Sequence, residues 1–281
     1  VETLSHDKLY ATMYLAIDIG GTKTLIALFD KDGELKKKVR FPTPSSYSVF
    51  VNTLREEYSK IGNANPELCV VGAPGRIDRA HGVGVAFGNL AWDNVPLKAD
   101  IEAFVGCKVL VENDANLAGL SEAALVLKKY KNTLYITIST GIGGVLIKNG
   151  VINAETADME PGHMLLEHQD KLQRWQEFAS GKAIVRKFGL PAKNIVDPGT
   201  WYIICRNIAI GLINLVSTLT PDIVIIGGGV GSHFEKFGDR LKEEMQLYAN
   251  DLIKVPDIIA ASRAEDAVLY GCYELAKQHD A

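Results

Sequence analysis

The sequence predicts an α/β protein of two lobes, and three observations predict it. Strand-like and helix-like segments alternate along the chain. A strand, glycine turn, strand unit opens it at Leu15, and a unit of the same order and type returns at Leu134. The 281 residues suffice for two lobes of roughly 100–150 residues each. With 47% hydrophobic and 23% charged residues the chain is of ordinary globular make-up, which excludes disorder, collagen and coiled coil. Thirty basic side chains against 34 acidic ones give −4, which argues against a nucleic-acid binder with a basic stripe.

Leu15–Ile19 reads as a strand, apolar apart from Asp18, that ends at Gly20-Gly21-Thr22. Thr24–Phe29 is apolar again, and Asp32-Gly33 turns it into Glu34–Arg40. Residues 47–60 carry Val51, Leu54 and Tyr58 at helical spacing. Leu68–Val71 is a buried strand stopped by Gly72-Ala73-Pro74-Gly75, and Lys108–Val111 another that ends at Glu112-Asn113-Asp114 before a helix over Ala115–Leu127. The second unit follows: strand Leu134–Ile138, turn Ser139 to Gly144, strand Val145–Ile147 and hairpin turn Asn149-Gly150. A third glycine turn, Gly227-Gly228-Gly229, closes the strand Ile223–Ile226. The apolar run Trp201–Leu219 has the length of a membrane span, but Arg206, Asn207 and Asn214 inside it predict a helix buried on a sheet. Leu15–Ile19 is too short and too polar for a signal peptide. Cys69, Cys107, Cys205 and Cys272 form no CxxC pair, so reduced thiols in a cytoplasmic protein are expected.

Glycine turns after strands bring backbone N–H groups close to an anion, as a phosphate cradle requires. The standard cradles do not fit. Gly21-Thr22-Lys23-Thr24 lacks the Gly-Lys pair and upstream glycine of a Walker A loop, and Gly227–Gly231 lacks dinucleotide-fingerprint spacing. What is distinctive is Asp18 two residues before a Gly-Gly-Thr turn, with a Ser-Thr-Gly turn at the matching place in the second unit. Asp18-Ile19-Gly20-Gly21-Thr22-Lys23 resembles the opening signature of the ROK sugar kinases, the glucokinase-like branch of the actin/hexokinase superfamily. Gly72–Gly75, Asn89–Trp92, Glu112–Asn116, Ser139–Gly144, Glu160–His163, Glu177–Gly181 and Pro221–Gly229 resemble further segments of that family, in its order. The resemblance runs from about Tyr14 nearly to the C-terminus.

It implies two ribonuclease-H-like (actin/hexokinase-type) lobes with a central cleft. The small lobe is then expected over 13–116, completed by a C-terminal helix over 264–278, the large lobe over 117–263, and residues 1–12 as an extension. The activity implied is ATP-dependent phosphorylation of a hexose 6-hydroxyl, glucose above others, by a cytoplasmic homodimer. Such a transfer needs an oriented acceptor hydroxyl, a proton acceptor, held phosphates and Mg²⁺. Asp114 matches the family's catalytic Asp and general base; read by itself it is equally a cap for the following helix. Asp18 matches the Asp that approaches Mg²⁺, through water; its alternative is a polar strand residue bonded to the Gly20-Gly21 backbone. Gly20, Gly21, Thr22, Thr140 and Gly141 match the phosphate turns, and Gly228 and Gly229 the place where the adenosine packs. Lys23 is either a further phosphate contact or a solvated turn lysine. Asn89, Asn113, Asp114, Glu160, His163 and Glu177 match sugar-contacting positions and suit hydroxyl recognition. Taken singly, Asn89 is also a turn residue, His163 a capping histidine and Glu177 a solvated helix face.

The chain departs from the family in two places. Many members bind a structural zinc through the His of the Gly-His pair and three close cysteines, whereas Met164–Gln176 has none and Trp175 stands where one would be. No zinc is therefore expected, with packing around Trp175, Leu165 and Leu166 fixing His163 and Glu177 instead. Met159 replaces the glycine usual before the Glu. Other readings remain open: another sugar (fructose, mannose, allose or an N-acetylhexosamine), polyphosphate as donor, or a sugar-sensing module without catalysis. A sensor has no need of Asp18, Asp114 and both phosphate turns, and the residues ahead of Asp18 are too few for the DNA-binding module of the family's repressors.

Overall fold

The computed structural model describes residues 12–62 and 65–280. The extension expected over 1–12 lies outside these, Thr12 apart. The chain divides into two compact units, one up to Asp114 together with the residues from Cys272 onward, the other Ala115–Gly271.

In chain order the first unit has β1 (Met13–Ile19), β2 (Lys23–Asp30), β3 (Leu35–Pro42), α1 (Tyr47–Ser59), β4 (Leu68–Ala73), three short strands β5 (Arg76–Asp78), β6 (Val83–Ala86) and β7 (Asp93–Val95), then α2 (Leu97–Val105) and β8 (Lys108–Asn113). Its main sheet has the order β3-β2-β1-β4-β8. β1 runs antiparallel to β2 and parallel to β4, and β4 parallel to β8. Tyr14 to Ile17 are all buried, as a strand covered on both faces must be. β3 carries exposed Lys36, Lys37, Lys38 and Arg40, the charges of a solvated sheet edge. β5, β6 and β7 make a separate three-stranded sheet. Against it Trp92 meets Tyr47 and Phe87 edge to face and Phe50 at a tilt, and donates its indole N–H to the Ser45 carbonyl at 2.9 Å.

The second unit contains α3 (Asp114–Val126), whose first residue still belongs to the first unit, β9 (Asn132–Ile138), β10 (Ile142–Lys148), β11 (Val151–Ile152), β12 (Leu165–His168), β13 (Lys171–Arg174), α4 (Trp175–Ala179), α5 (Gly181–Phe188), α6 (Pro198–Leu219), β14 (Ile223–Gly227), α7 (Gly228–Gly231), α8 (Gly238–Gln246) and β15 (Asp257–Ala260); the last helix, α9 (Ala267–Asp280), is shared, its residues from Cys272 onward belonging to the first unit. Its sheet order, β11-β10-β9-β14-β15, repeats the first strand for strand. β9 is antiparallel to β10 and parallel to β14, and β14 parallel to β15. The repeat read from the glycine turns is thus a repeat of whole sheets.

α6 starts at Pro198, with the Asp197 carboxylate accepting the Thr200 N–H at 2.7 Å and its hydroxyl at 2.8 Å; these bonds hold that carboxyl below the usual carboxylate range. Half of its apolar length is buried inside the unit, so it is a core helix. Arg206 and Asn214 lie on its exposed face. Asn207 is buried and accounted for: its amide N–H donates to the Phe178 carbonyl at 3.0 Å, its Oδ1 pairs with His168 Nε2 at 3.2 Å, and its own carbonyl accepts the Trp175 indole N–H at 3.0 Å. Each unit has its own apolar core. α9 begins in the second unit and ends in the first. There Tyr273 donates its hydroxyl to the Lys31 carbonyl at 3.0 Å, Cys272 packs against Ile17, and Tyr14 donates to Asp280 at 2.6 Å. The four cysteines are free thiols, three of them buried.

Candidate active site

In the first unit the candidate residues gather at the carboxyl ends of the parallel strands β1, β4 and β8, where open α/β sheets place their ligands. Asp18 lies one residue from the end of β1, half-buried, paired in register with Gly72, which is itself paired with Glu112. The following turn closes by a bond from Gly20 N–H to the Lys23 carbonyl at 2.9 Å. Thr43 ties it from the neighbouring segment: its hydroxyl donates to the Gly20 carbonyl at 2.7 Å and its N–H to the Thr22 carbonyl at 3.1 Å. Gly21 and Thr22 stay exposed, and Lys23 is the first residue of β2. Asn89, on the loop between β6 and β7, packs on this turn; a side chain at Gly21 would begin 3.0 Å from its Cβ. The predicted phosphate turn and one predicted sugar residue are therefore neighbours.

Asn113 and Asp114 stand where β8 passes into α3 without a loop. Asn113 is held twice. Its N–H donates to Glu112 Oε1 at 2.7 Å, and its side-chain amide donates to the Gly75 carbonyl at 3.0 Å. Glu112, buried to 6% exposure, is gripped by the Arg79 guanidinium, Nε to Oε2 and Nη2 to Oε1, both at 2.7 Å. Gly75 has φ +91° and a Cβ there would lie 2.0 Å from the Ala86 carbonyl, so this position admits only glycine. Asp114 is the first residue of α3 rather than a residue flanking a helix that starts at Ala115. Its carboxylate sits in the first turn of the helix.

In the second unit the Thr140-Gly141 turn joins β9 to β10 and is pinned from behind, the Gly181 N–H donating to the Ser139 carbonyl at 2.7 Å. Gly228 abuts the end of β9, and open space adjoins Gly229. Glu160 and His163 bracket one turn of 3-10 helix, Pro161–His163, closed by His163 N–H to the Glu160 carbonyl at 2.9 Å. His163 is exposed, and its Nε2 lies 3.2 Å from Nε2 of the Gln176 side chain. Glu177 is exposed on α4, where its carboxylate accepts the Arg174 N–H at 2.9 Å in a capping box, while its carbonyl accepts from Arg186. Trp175 is fully buried, packed on Gly211 of α6. Leu166 packs on the core, but Leu165 is 60% exposed and takes no part in fixing His163, because the β12–β13 hairpin turns it outward. Arg79, Thr43 and Gln176 are the positioning groups that the sequence patterns did not indicate.

Burial raises the Glu160 carboxyl above its ordinary value of 4.5; His163 opposes the rise when it carries a charge, and Asp158 adds to it. A raised native value means a stability contribution that is complete below pH 4.5 and lost as the pH climbs through the shifted value. Glu160→Gln is expected to remove that loss. Its thermal midpoint should hold steady from about pH 4.5 to 7, where the unsubstituted protein declines by comparison. Parallel curves would show that Glu160 is not desolvated.

Among the described residues no three His, Cys, Asp or Glu side chains converge as a metal-ligand set. Asp18 offers one hard carboxylate beside an exposed turn. That suits Mg²⁺, which keeps much of its water and is commonly bound through one or two carboxylates plus substrate phosphates.

The ROK family model matches residues 14–279. The chain is 27% identical to a glucokinase of Streptomyces coelicolor, over 95% of this chain and 98% of that one. It is 26% identical to an N-acetyl-D-glucosamine kinase of Haemophilus influenzae, over 94% and 99%. A crystal structure of a ROK family glucokinase from Streptomyces griseus, in complex with glucose and AMPPNP, superimposes with a TM-score of 0.79 at 25% identity, over 95% of this chain and 99% of that one. With its two mixed five-stranded sheets of one topology, the chain belongs to the ROK family and is a sugar kinase of it, a phosphotransferase.

Proposed function

We propose that this kinase transfers the γ-phosphoryl group of ATP to the 6-hydroxyl of a hexose, glucose before others, with Asp114 as general base. The observation that carries the reading is the Asn113–Asp114 pair, anchored by Arg79–Glu112 and the Gly75 carbonyl at the end of a buried strand. Asn113 orients a sugar hydroxyl, and Asp114 takes the proton of the attacking one. The new bond joins the sugar oxygen to the γ-phosphorus as the bridge to the β-phosphate breaks and ADP leaves. Asn89, Glu160, His163 and Glu177 supply further hydroxyl contacts. The backbone of Gly20–Thr22 and of Thr140-Gly141 holds the donor phosphates, and Lys23 adds a charge. Mg²⁺, approached by Asp18, neutralises charge on those phosphates when bound.

A second reading, N-acetyl-D-glucosamine as acceptor, is favoured by relatives of that name at nearly the same identity as the glucokinases. ADP release from Mg-ATP across a panel of hexoses and N-acetylhexosamines, with Asp114→Ala as control, decides between them. Signal with glucose that vanishes in the variant supports the first reading. Signal with an N-acetylated sugar keeps the mechanism and changes the acceptor. Silence with ATP, followed by signal with polyphosphate, replaces the donor.

A further inference from the structure

Gln176 lies between two parts of the second unit's site. Its Nε2 is 3.2 Å from His163 Nε2. Its Oε1 rests against two glycines: a Cβ on Gly141 would stand 2.8 Å from that oxygen, and one on Gly162 3.0 Å from it. An amide oxygen suits a place beside the Cα–H groups of two glycines, where an NH₂ group would set hydrogen against hydrogen. With Oε1 on the glycine side, the NH₂ end of the amide faces the imidazole. An amide nitrogen only donates, so the ring nitrogen facing it must carry a lone pair. We infer that Gln176 is a positioning residue that holds His163 as the neutral tautomer protonated at Nδ1, leaving Nδ1–H as the donor to a sugar oxygen.

The local sequence makes this necessary. His163 is exposed on a single turn of 3-10 helix, and a free imidazole in water favours the other tautomer and turns about its χ angles. Met164–Gln176 supplies no thiol that could hold the ring through a metal. Trp175 Nε1, bonded to the Asn207 carbonyl at 3.0 Å, anchors the start of α4, so the adjacent Gln176 projects from a fixed backbone. Gly141 belongs to the proposed phosphate turn, so one amide braces both that turn and His163.

That the tautomer matters for the reaction rests on the proposed sugar site, so the test reads the tautomer and the kinetics separately. In ¹⁵N-histidine-labelled full-length protein, the ring nitrogens of His163 should show protonation at Nδ1 in the unliganded state. Gln176→Met, close in volume but without the donor, should lose that signature, as should Gln176→Ala. Both should raise the KM for the sugar about tenfold, the equivalent of one lost hydrogen bond, with kcat within about twofold. Protonation at Nε2 in the unsubstituted protein, or Nδ1 protonation that persists in Gln176→Met, overturns the inference. If the signature is lost as expected while Gln176→Met and His163→Ala both leave KM unchanged, Gln176 does set the tautomer, and it is the placing of His163 in the sugar site that fails.

Discussion

Asp114→Asn is expected to lower kcat about 10²–10⁴-fold, the span that a positioned general base contributes. Sugar affinity, read by calorimetry, should stay within about tenfold, because an asparagine oxygen still accepts a hydroxyl hydrogen bond. Asp114 occupies the first turn of α3, and losing its charge there costs about 0.3–1 kcal/mol of dipole interaction. A thermal melt of the variant separates the two effects: a loss of turnover on this scale in a protein that still melts near the unsubstituted temperature is charged to the missing proton acceptor. Turnover retained within about tenfold of the unsubstituted rate would transfer the role of base to another residue.

Arg79→Met should have the largest effect on stability, about 3 kcal/mol, because it strands the Glu112 carboxylate in a buried site. The low end of the range for broken buried pairs applies, since the Arg79 side chain is itself partly exposed. Arg79→Lys keeps the charge but not the two-pronged grip and should fall between. Adding Glu112→Gln to Arg79→Met removes the stranded charge while leaving an oxygen for the Asn113 N–H, and should recover most of the loss. Denaturant titration of the three variants reads this directly. Equal destabilisation by Arg79→Met with and without Glu112→Gln would show that Arg79 acts by packing alone. Glu112, one of the two groups that hold Asn113, is itself no longer gripped in Arg79→Met, so the KM for the sugar should rise together with the fall in stability.

The strands at the centre of each sheet were legible because they are apolar runs closed by glycine, and the turns after β1 and β9 carry the motifs themselves. β5, β6 and β7 were not, since strands of three or four residues, separated by Gly82 and Gly88 and with Gly84 inside β6, have no hydrophobic period to read. Yet that small sheet carries the loop that places Asn89. Arg79 escaped for a different reason. Its partner Glu112 is 33 residues away, and no spacing rule connects two segments brought together by the pairing of β4 with β8. Gln176 had no motif of its own, its role being defined by three neighbours from other turns. Leu165 was misjudged because a hairpin laid on a core buries one face only. Leu165 and Leu172 share the outer face with Glu167 and Arg174, and Leu166 takes the inner one. The start of α3 was misplaced by one residue, within the usual spread of helix ends.

The path of α9 has a consequence for how the molecule comes into being. The groups that meet Tyr14, Ile17 and Lys31 are Asp280, Cys272 and Tyr273, which leave the ribosome only after all of Ala115–Gly271. At ~5–20 residues per second that stretch takes roughly 8–30 s to synthesise. For that interval the first sheet is made but its last helix is not. The second unit, though translated later, reaches nearly its full set of contacts first. The nascent β1–β2 surface thus waits uncovered for its last helix, and the N-terminal unit is the last to be completed.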